Sequence, residues 1–225
     1  MVRKPSVEAA AEELSVFIAE SVSPLDFYKE RTDGLAAHGV LRAGGTRSAY
    51  RIVLNEKMLR RAVKEAASGS YKALHVSCHG DKVGLQLADG SDIDWEPLAE
   101  LLRPFAGKNR ILVLSSCTNG HVGLANALAK KRVIFGWLFG SSSKRVDFTH
   151  CCLAWSVLYN RLLNSGLDRA GLRKTLDEIN AILSGEFVYR RWDETRYRVY
   201  PRRDRRSTKK RRNRGAAPTT KVGAN

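Results

Sequence analysis

The sequence predicts a mixed α/β domain built on a largely parallel sheet. Two observations carry this. Apolar runs such as 73–76 and 111–114 do not alternate in polarity, which marks strands buried on both faces. Stretches with helical spacing lie between such runs, so strand and helix succeed one another along the chain. A length of 225 residues suits one domain of this kind with an appendage.

Taken in order, residues 5–14 have helical composition, with Ser6 as N-cap and acidic residues in the early turns. Residues 15–20 either extend that helix or form the first strand. Val16, Phe17 and Ile18 favour the strand, and Ser23-Pro24 ends it. A helix is expected over 25–37, closed by Gly39 and Gly44-Gly45, then a strand over 49–54. Asn55 caps a helix over 56–67, in which Met58, Leu59, Ala62, Val63 and Ala66 share one face. A strand over 71–77 leads into a loop with Cys78, His79 and Gly80. Residues 83–93 alternate around Asp89-Gly90, a hairpin signal. Asp94 starts a helix to Arg103. A strand over 110–115 and a helix over 121–131 follow, then a strand over 133–139 and helices over 146–164 and 167–183.

Hydrophobic content of 43% and charged content of 28% are ordinary for a soluble protein. No apolar run approaches the ~20 residues that span a bilayer. The first residues lack the apolar core of a signal peptide, so a cytoplasmic location is expected. Four cysteines without a spaced framework imply free thiols in a reducing compartment. The net charge of +16 is uneven: residues 189–214 carry +10 and residues 1–188 only +5. These numbers divide the chain into a domain over 1–188 and a basic, largely disordered tail over 189–225.

The chemistry concentrates where two strands end. Parallel strands deliver His79 and Cys117, 38 residues apart, to the carboxyl edge of the sheet, where open α/β folds bind ligands. A thiol nucleophile needs a base to take its proton and an acid to protonate the departing amine, and one imidazole serves both needs. Gly80 lets backbone approach a substrate closely. Cys117 opens a helix, so its N–H favours developing negative charge.

The segments His75-Val-Ser-Cys-His79-Gly80 and Leu114-Ser-Ser-Cys117-Thr-Asn-Gly120 resemble the caspase-fold cysteine peptidases, with the nearest likeness to the bacterial CHAT-domain branch related to separases. Ile134-Phe-Gly-Trp137, Asp147 and Tyr159 within 148–163 fit that branch, and the likeness covers about 15–185. It implies a three-layer α/β/α caspase-like fold and an endopeptidase acting on a protein partner without metal or organic cofactor. His79 is then the base, Cys117 the nucleophile, and Gly80 with the Cys117 N–H the oxyanion hole. Members of the branch act in regulated proteolysis, including antiviral defence and cell death in bacteria. The chain departs from animal caspases in lacking Gln-Ala-Cys-Arg-Gly, and from metacaspases in having Ser115-Ser116 where an acid precedes the cysteine. Specificity therefore stays open.

Several residues admit two interpretations. Asp81 and Asp147 either line an acidic specificity pocket or are simply solvated. Trp137 is core or a wall of the cleft, and Asn119 contacts substrate or merely starts a helix. Cys78 should point away from the site, as neighbours on a strand do, and His75 belongs to the core. His75, Cys78, Cys117, His121 and His150-Cys151-Cys152 offer zinc-type ligands, but no Cys-x-x-Cys knuckle accompanies them, so no metal site is expected. The run Arg202–Arg214 would bind nucleic acid or an anionic surface, or would remain a solvated extension. Tyr189, Trp192, Tyr197 and Tyr200 either stack on bases or dock as a last strand or two. A catalytically inactive caspase-like scaffold binding nucleic acid through this tail is the alternative function.

Overall fold

The computed structural model describes residues 14–117, 120–141, 146–165, 168–183 and 187–201. The helix expected over 5–14, Asn119 and the run Arg202–Arg214 lie outside the described residues. Among the described residues, nine strands form one sheet: β1 Ser15–Ser21, β2 Arg47–Ile52, β3 Ala73–Gly80, β4 Gly84–Gln86, β5 Asp92–Asp94, β6 Gly107–Ser115, β7 Phe135–Ser141, β8 Phe187–Trp192 and β9 Tyr197–Tyr200. The helices are α1 Pro24–Tyr28, α2 Asp33–Ala43, α3 Glu56–Ser68, α4 Trp95–Leu102, α5 Gly120–Lys130, α6 Phe148–Ser165 and α7 Arg169–Ile182. The main strand order is β2-β1-β3-β6-β7-β8-β9. The pairs from β2 to β7 are parallel, whereas β7–β8 and β8–β9 are antiparallel. β4 and β5 form a short antiparallel ribbon on the end of β3.

Two apolar layers cover the sheet. Leu74, Val76, Leu112 and Leu114 face α3, α4 and α5. Ala73, Ile111, Val113 and Phe139 face α2, α6 and α7. Alternate residues of one strand thus serve opposite layers, which the pleat requires. The result is the three-layer α/β/α arrangement with a mostly parallel sheet that the sequence predicts. α2 crosses on one face and α3 on the other, so the chain reverses its direction of travel between β1 and β3. This is the topological switch point, where open α/β sheets leave a crevice beyond the strand ends.

Local chemistry moved several boundaries. The helix expected over 25–37 is two helices, broken at Lys29–Thr32, where Glu30 takes a positive φ of 55°. Of the glycines expected to close it, Gly39 lies inside α2 and Gly44 caps the helix after Ala43. Met58 is exposed, while Leu59, Ala62, Val63 and Ala66 are buried as spaced. β3 runs through Cys78, His79 and Gly80 because the ribbon extends it: His79 pairs with Gln86 and Gly80 with Leu85. Gly90 holds φ +85° in the hairpin turn, as an Asp-Gly pair should. The boundary expected at residue 188 falls inside β8, and the sheet continues to Tyr200. The aromatic residues there dock as two final strands: Tyr189 lies opposite Tyr200, and Trp192 opposite Tyr197. Among the described residues, no helix is long and apolar enough to cross a membrane.

Candidate active site

Beneath the carboxyl edge of the sheet lies a polar core that the apolar runs concealed. Ser77 and Ser115 are direct partners in the β3–β6 ladder. Both hydroxyls donate to the buried carboxylate of Asp33 at the start of α2, over 2.6 and 2.5 Å. Ser115 Oγ in turn accepts from Trp155 Nε1 at 2.8 Å. Glu20, on β1, is also buried and accepts from the Gly34 and Leu35 N–H groups and from the Tyr50 hydroxyl. Burial pushes the Asp33 carboxyl up to about 6, against the two serine hydrogen bonds, and the nearby Glu20 charge adds to the rise. Burial likewise raises Glu20. The strands that carry the site are therefore tied together from below by one shared carboxylate.

His79 and Cys117 each stand two residues beyond this tied pair. By the period of two, His79 falls on the face of Ser77, while Cys117 follows just beyond the end of β6, whose last ladder residue is Ser115. Gly80 strengthens the placement: a Cβ there would stand 3.1 Å from Ser116 Cβ and 3.2 Å from Gly84 O, so the two strand ends touch. The Ser141 hydroxyl donates to the Ser116 carbonyl at 2.9 Å and fixes the backbone just before the cysteine.

His79 Nε2 lies 2.8 Å from Asp26 Oδ2. The histidine side chain is 35% exposed and the aspartate 12%, so the pair sits at the lip of the crevice, sheltered but reachable. Burial alone would raise Asp26, but hydrogen bonds from the Ser23 hydroxyl, His79 and Arg31 outweigh it and hold its carboxyl below the ordinary value. An ionised Asp26 accepts, so Nε2 carries the proton, and Nδ1 is the ring nitrogen with a free lone pair. The edge of the Phe148 ring packs against the imidazole, centroids 5.9 Å apart. Cys117 is half-buried, and its thiol donates to the Val146 carbonyl at 3.1 Å, just ahead of α6.

The other thiols are unsuited to attack. Cys78 is buried on the opposite face of β3, and burial pushes its thiol far up. The same cause raises Cys151 strongly and Cys152 to about 11. His75 is wholly buried, bonds through Nδ1 to the Tyr159 hydroxyl at 2.8 Å, and is held neutral by burial, down to about 3. His75 and Cys78 face opposite layers and do not chelate together. Among the described residues, no group of three His, Cys, Asp or Glu side chains is arranged to hold a metal ion.

Other expected site residues have different fates. Asp81 lines a cavity of about 240 Å³ with His79 and Gly80, but its Oδ1 accepts from the Val83 and Gly84 N–H groups, which shape the loop. Asp147 caps α6, accepting from His150 N at 2.8 Å. Trp137 does not wall the cleft. Its register partner is Ile111, six residues short of Cys117, which places it about 20 Å down the sheet at ~3.3 Å per residue. A broader, apolar groove is lined by Phe27, Tyr28, Leu35 and Phe148, the last of which packs against His79. Asp26 itself was missed by sequence reasoning. It looks like a helix-capping residue after Ser23-Pro24, and only its position beyond β1, next to β3, marks it.

No family model matches the chain, and no curated protein matches it in sequence. Among solved structures, one match is a complex of the pro- and mature domains of Porphyromonas gingivalis RgpB, with a TM-score of 0.49 and 11% identity. The match covers 87% of this chain and 51% of that one, so the chain spans about half the length of that neighbour.

Proposed function

We propose that this chain is a cysteine endopeptidase of the caspase-like, CHAT-domain kind, in which Cys117 attacks, His79 moves the proton and Asp26 positions His79. The observation that carries the proposal is the 2.8 Å His79–Asp26 hydrogen bond at the switch point, with Cys117 two residues beyond Ser115, the ladder partner of Ser77. In the resting chain the Cys117 proton is shared with the Val146 carbonyl. Catalysis requires the thiol to turn from that carbonyl to His79 Nδ1. The imidazole takes the proton, and the thiolate adds to the scissile carbonyl carbon. The imidazolium formed is stabilised by the Asp26 carboxylate. It then gives its proton to the departing amine as the C–N bond breaks, leaving a thioester on Cys117. Water, deprotonated by the same imidazole, hydrolyses that thioester. The Gly80 and Cys117 N–H groups are the proposed oxyanion donors. A protein partner is the proposed substrate, held along the apolar groove beside Phe148, in regulated proteolysis such as bacterial defence.

The test is labelling with an iodoacetamide probe, located by mass spectrometry, alongside cleavage of a fluorogenic protein substrate. Cys117→Ala and His79→Ala should each abolish cleavage, and Cys78→Ala should leave labelling at Cys117 intact. Cleavage that survives Cys117→Ala would sink the proposal. A folded wild type that labels at Cys117 yet cleaves nothing would favour the inactive-scaffold alternative.

A further inference from the structure

At the far edge of the sheet, away from the His79 crevice, β8, β9 and α7 enclose a cleft of about 670 Å³. That volume lies within the ~300–1,000 Å³ range of small-ligand sites. Its chemistry follows from the register. Tyr189 and Arg191 share one face of β8, and Arg198 and Tyr200 share the same face of β9, with Tyr189 opposite Tyr200 and Arg191 opposite Arg198. Like charges directly opposed across an antiparallel pair destabilise a sheet, and the Asp193 carboxylate offsets Arg198 alone. α7 adds Arg169 and Arg173, one turn apart, to the same cleft.

The guanidinium groups are held ready for a ligand. Arg173 lies over the Tyr200 ring, 5.1 Å from its centroid, and Arg191 lies over Trp137 at 6.0 Å. Arg173 Nε is buried without a hydrogen-bond partner. Among the described residues, Arg169, Arg173 and Arg191 form no ion pair, whereas Arg198 pairs with Asp193, the one carboxylate lining the cleft. Tyr200 is fixed by donating to Asp177, and its ring stacks on Tyr189 with centroids 5.5 Å and planes 26° apart. Pro201, also in the lining, leads directly into Arg202-Arg203.

We propose that this cleft binds the phosphates of a nucleotide, free or as part of a single strand, on its arginines. Planar guanidinium forks match phosphate oxygens two at a time, and Pro201 leads the cleft straight into the further arginines of Arg202-Arg203. The tyrosines hold the forks in place: Tyr189 is buried, and the Tyr200 ring lies between Tyr189 and Arg173.

The experiment uses the full chain and a fluorescently labelled ten-nucleotide single-stranded RNA, read by anisotropy at fixed salt, with thermal unfolding followed in parallel. Arg173→Gln/Arg191→Gln should weaken binding at least about tenfold, the effect of ~1.4 kcal/mol. The charge-matched tail pair Arg205→Gln/Arg206→Gln should change it about twofold or less, because diffuse phosphate attraction is spread over many cations. Arg173→Lys/Arg191→Lys keeps the charge but loses the forks, and should fall between; it also serves if the glutamine pair unfolds. ATP should displace the RNA in wild type if a free nucleotide suffices, and only longer strands should do so if the polymer is needed. Equal weakening by the tail pair, lysine variants indistinguishable from wild type, or displacement by polyglutamate as readily as by RNA would overturn the proposal.

Discussion

Replacing Asp33 with asparagine should remove most of one pH dependence of stability. Asp33 is buried, and its carboxyl is raised from 3.8 to about 6 in the fold. A raised carboxyl contributes stability that is fully present below the unfolded value and is lost as pH rises through the folded value. The rise from 3.8 to about 6, at ~1.36 kcal/mol for each pH unit, corresponds to a loss of ~3 kcal/mol between pH 4 and pH 6. For a domain of this size that is ~6–12 °C in melting temperature. Glu20, also raised by burial, adds to the same slope in the wild type. The substituted amide cannot ionise, although its single oxygen must serve where two accepted from Ser77 and Ser115. Melting temperatures from pH 3.5 to 7.5 should therefore fall less in Asp33→Asn than in the wild type. Parallel curves, or a wild type that gains on the variant as pH rises, would show that Asp33 stays ionised throughout and that the serine hydroxyls overcome burial.

Asp26→Asn should lower kcat by ~10²–10⁴-fold with little change in KM, since the amide leaves the imidazolium without its counter-charge. Asp26→Glu should recover part of that loss; equal activity of Asp26→Asn and wild type would remove Asp26 from the mechanism. Gly80→Ala should cost ~1–3 kcal/mol of stability in thermal unfolding, because its Cβ would meet Ser116, Gly84 O and Leu85 at 3.1–3.2 Å. The displaced Ser116 should also slow alkylation of Cys117, and an unaffected alkylation rate would uncouple the two strand ends.

The layers of the fold were legible because buried parallel strands announce themselves as unbroken apolar runs, as at 73–76 and 111–114. His79 and Cys117 were legible because reactive residues directly follow such runs. Asp26, Asp33 and Glu20 were not. Each is a single acid in ordinary local sequence, and each gains its meaning from a partner 53, 44 or 82, and 30 positions away. β8 and β9 were obscured for another reason. Their alternation sets tyrosine and arginine on one face, so the period of two is present but carries charge where a strand usually carries aliphatic residues. Trp137 stayed open between core and cleft wall because the apolar run was read without register, and register sets it against the core, opposite Ile111.

The strand order also governs how copies of this chain meet. Among the described residues, β2 and β9 terminate the sheet, and an unpaired strand edge invites another chain to add to it. β9 is four residues long and is followed by Pro201, which offers no N–H, and then by two arginines. β2 presents Arg47 and Arg51 at its exposed ends. Short length, proline and positive charge are the features by which sheets refuse uninvited strands. Growth of one continuous sheet across molecules through these edges is therefore disfavoured.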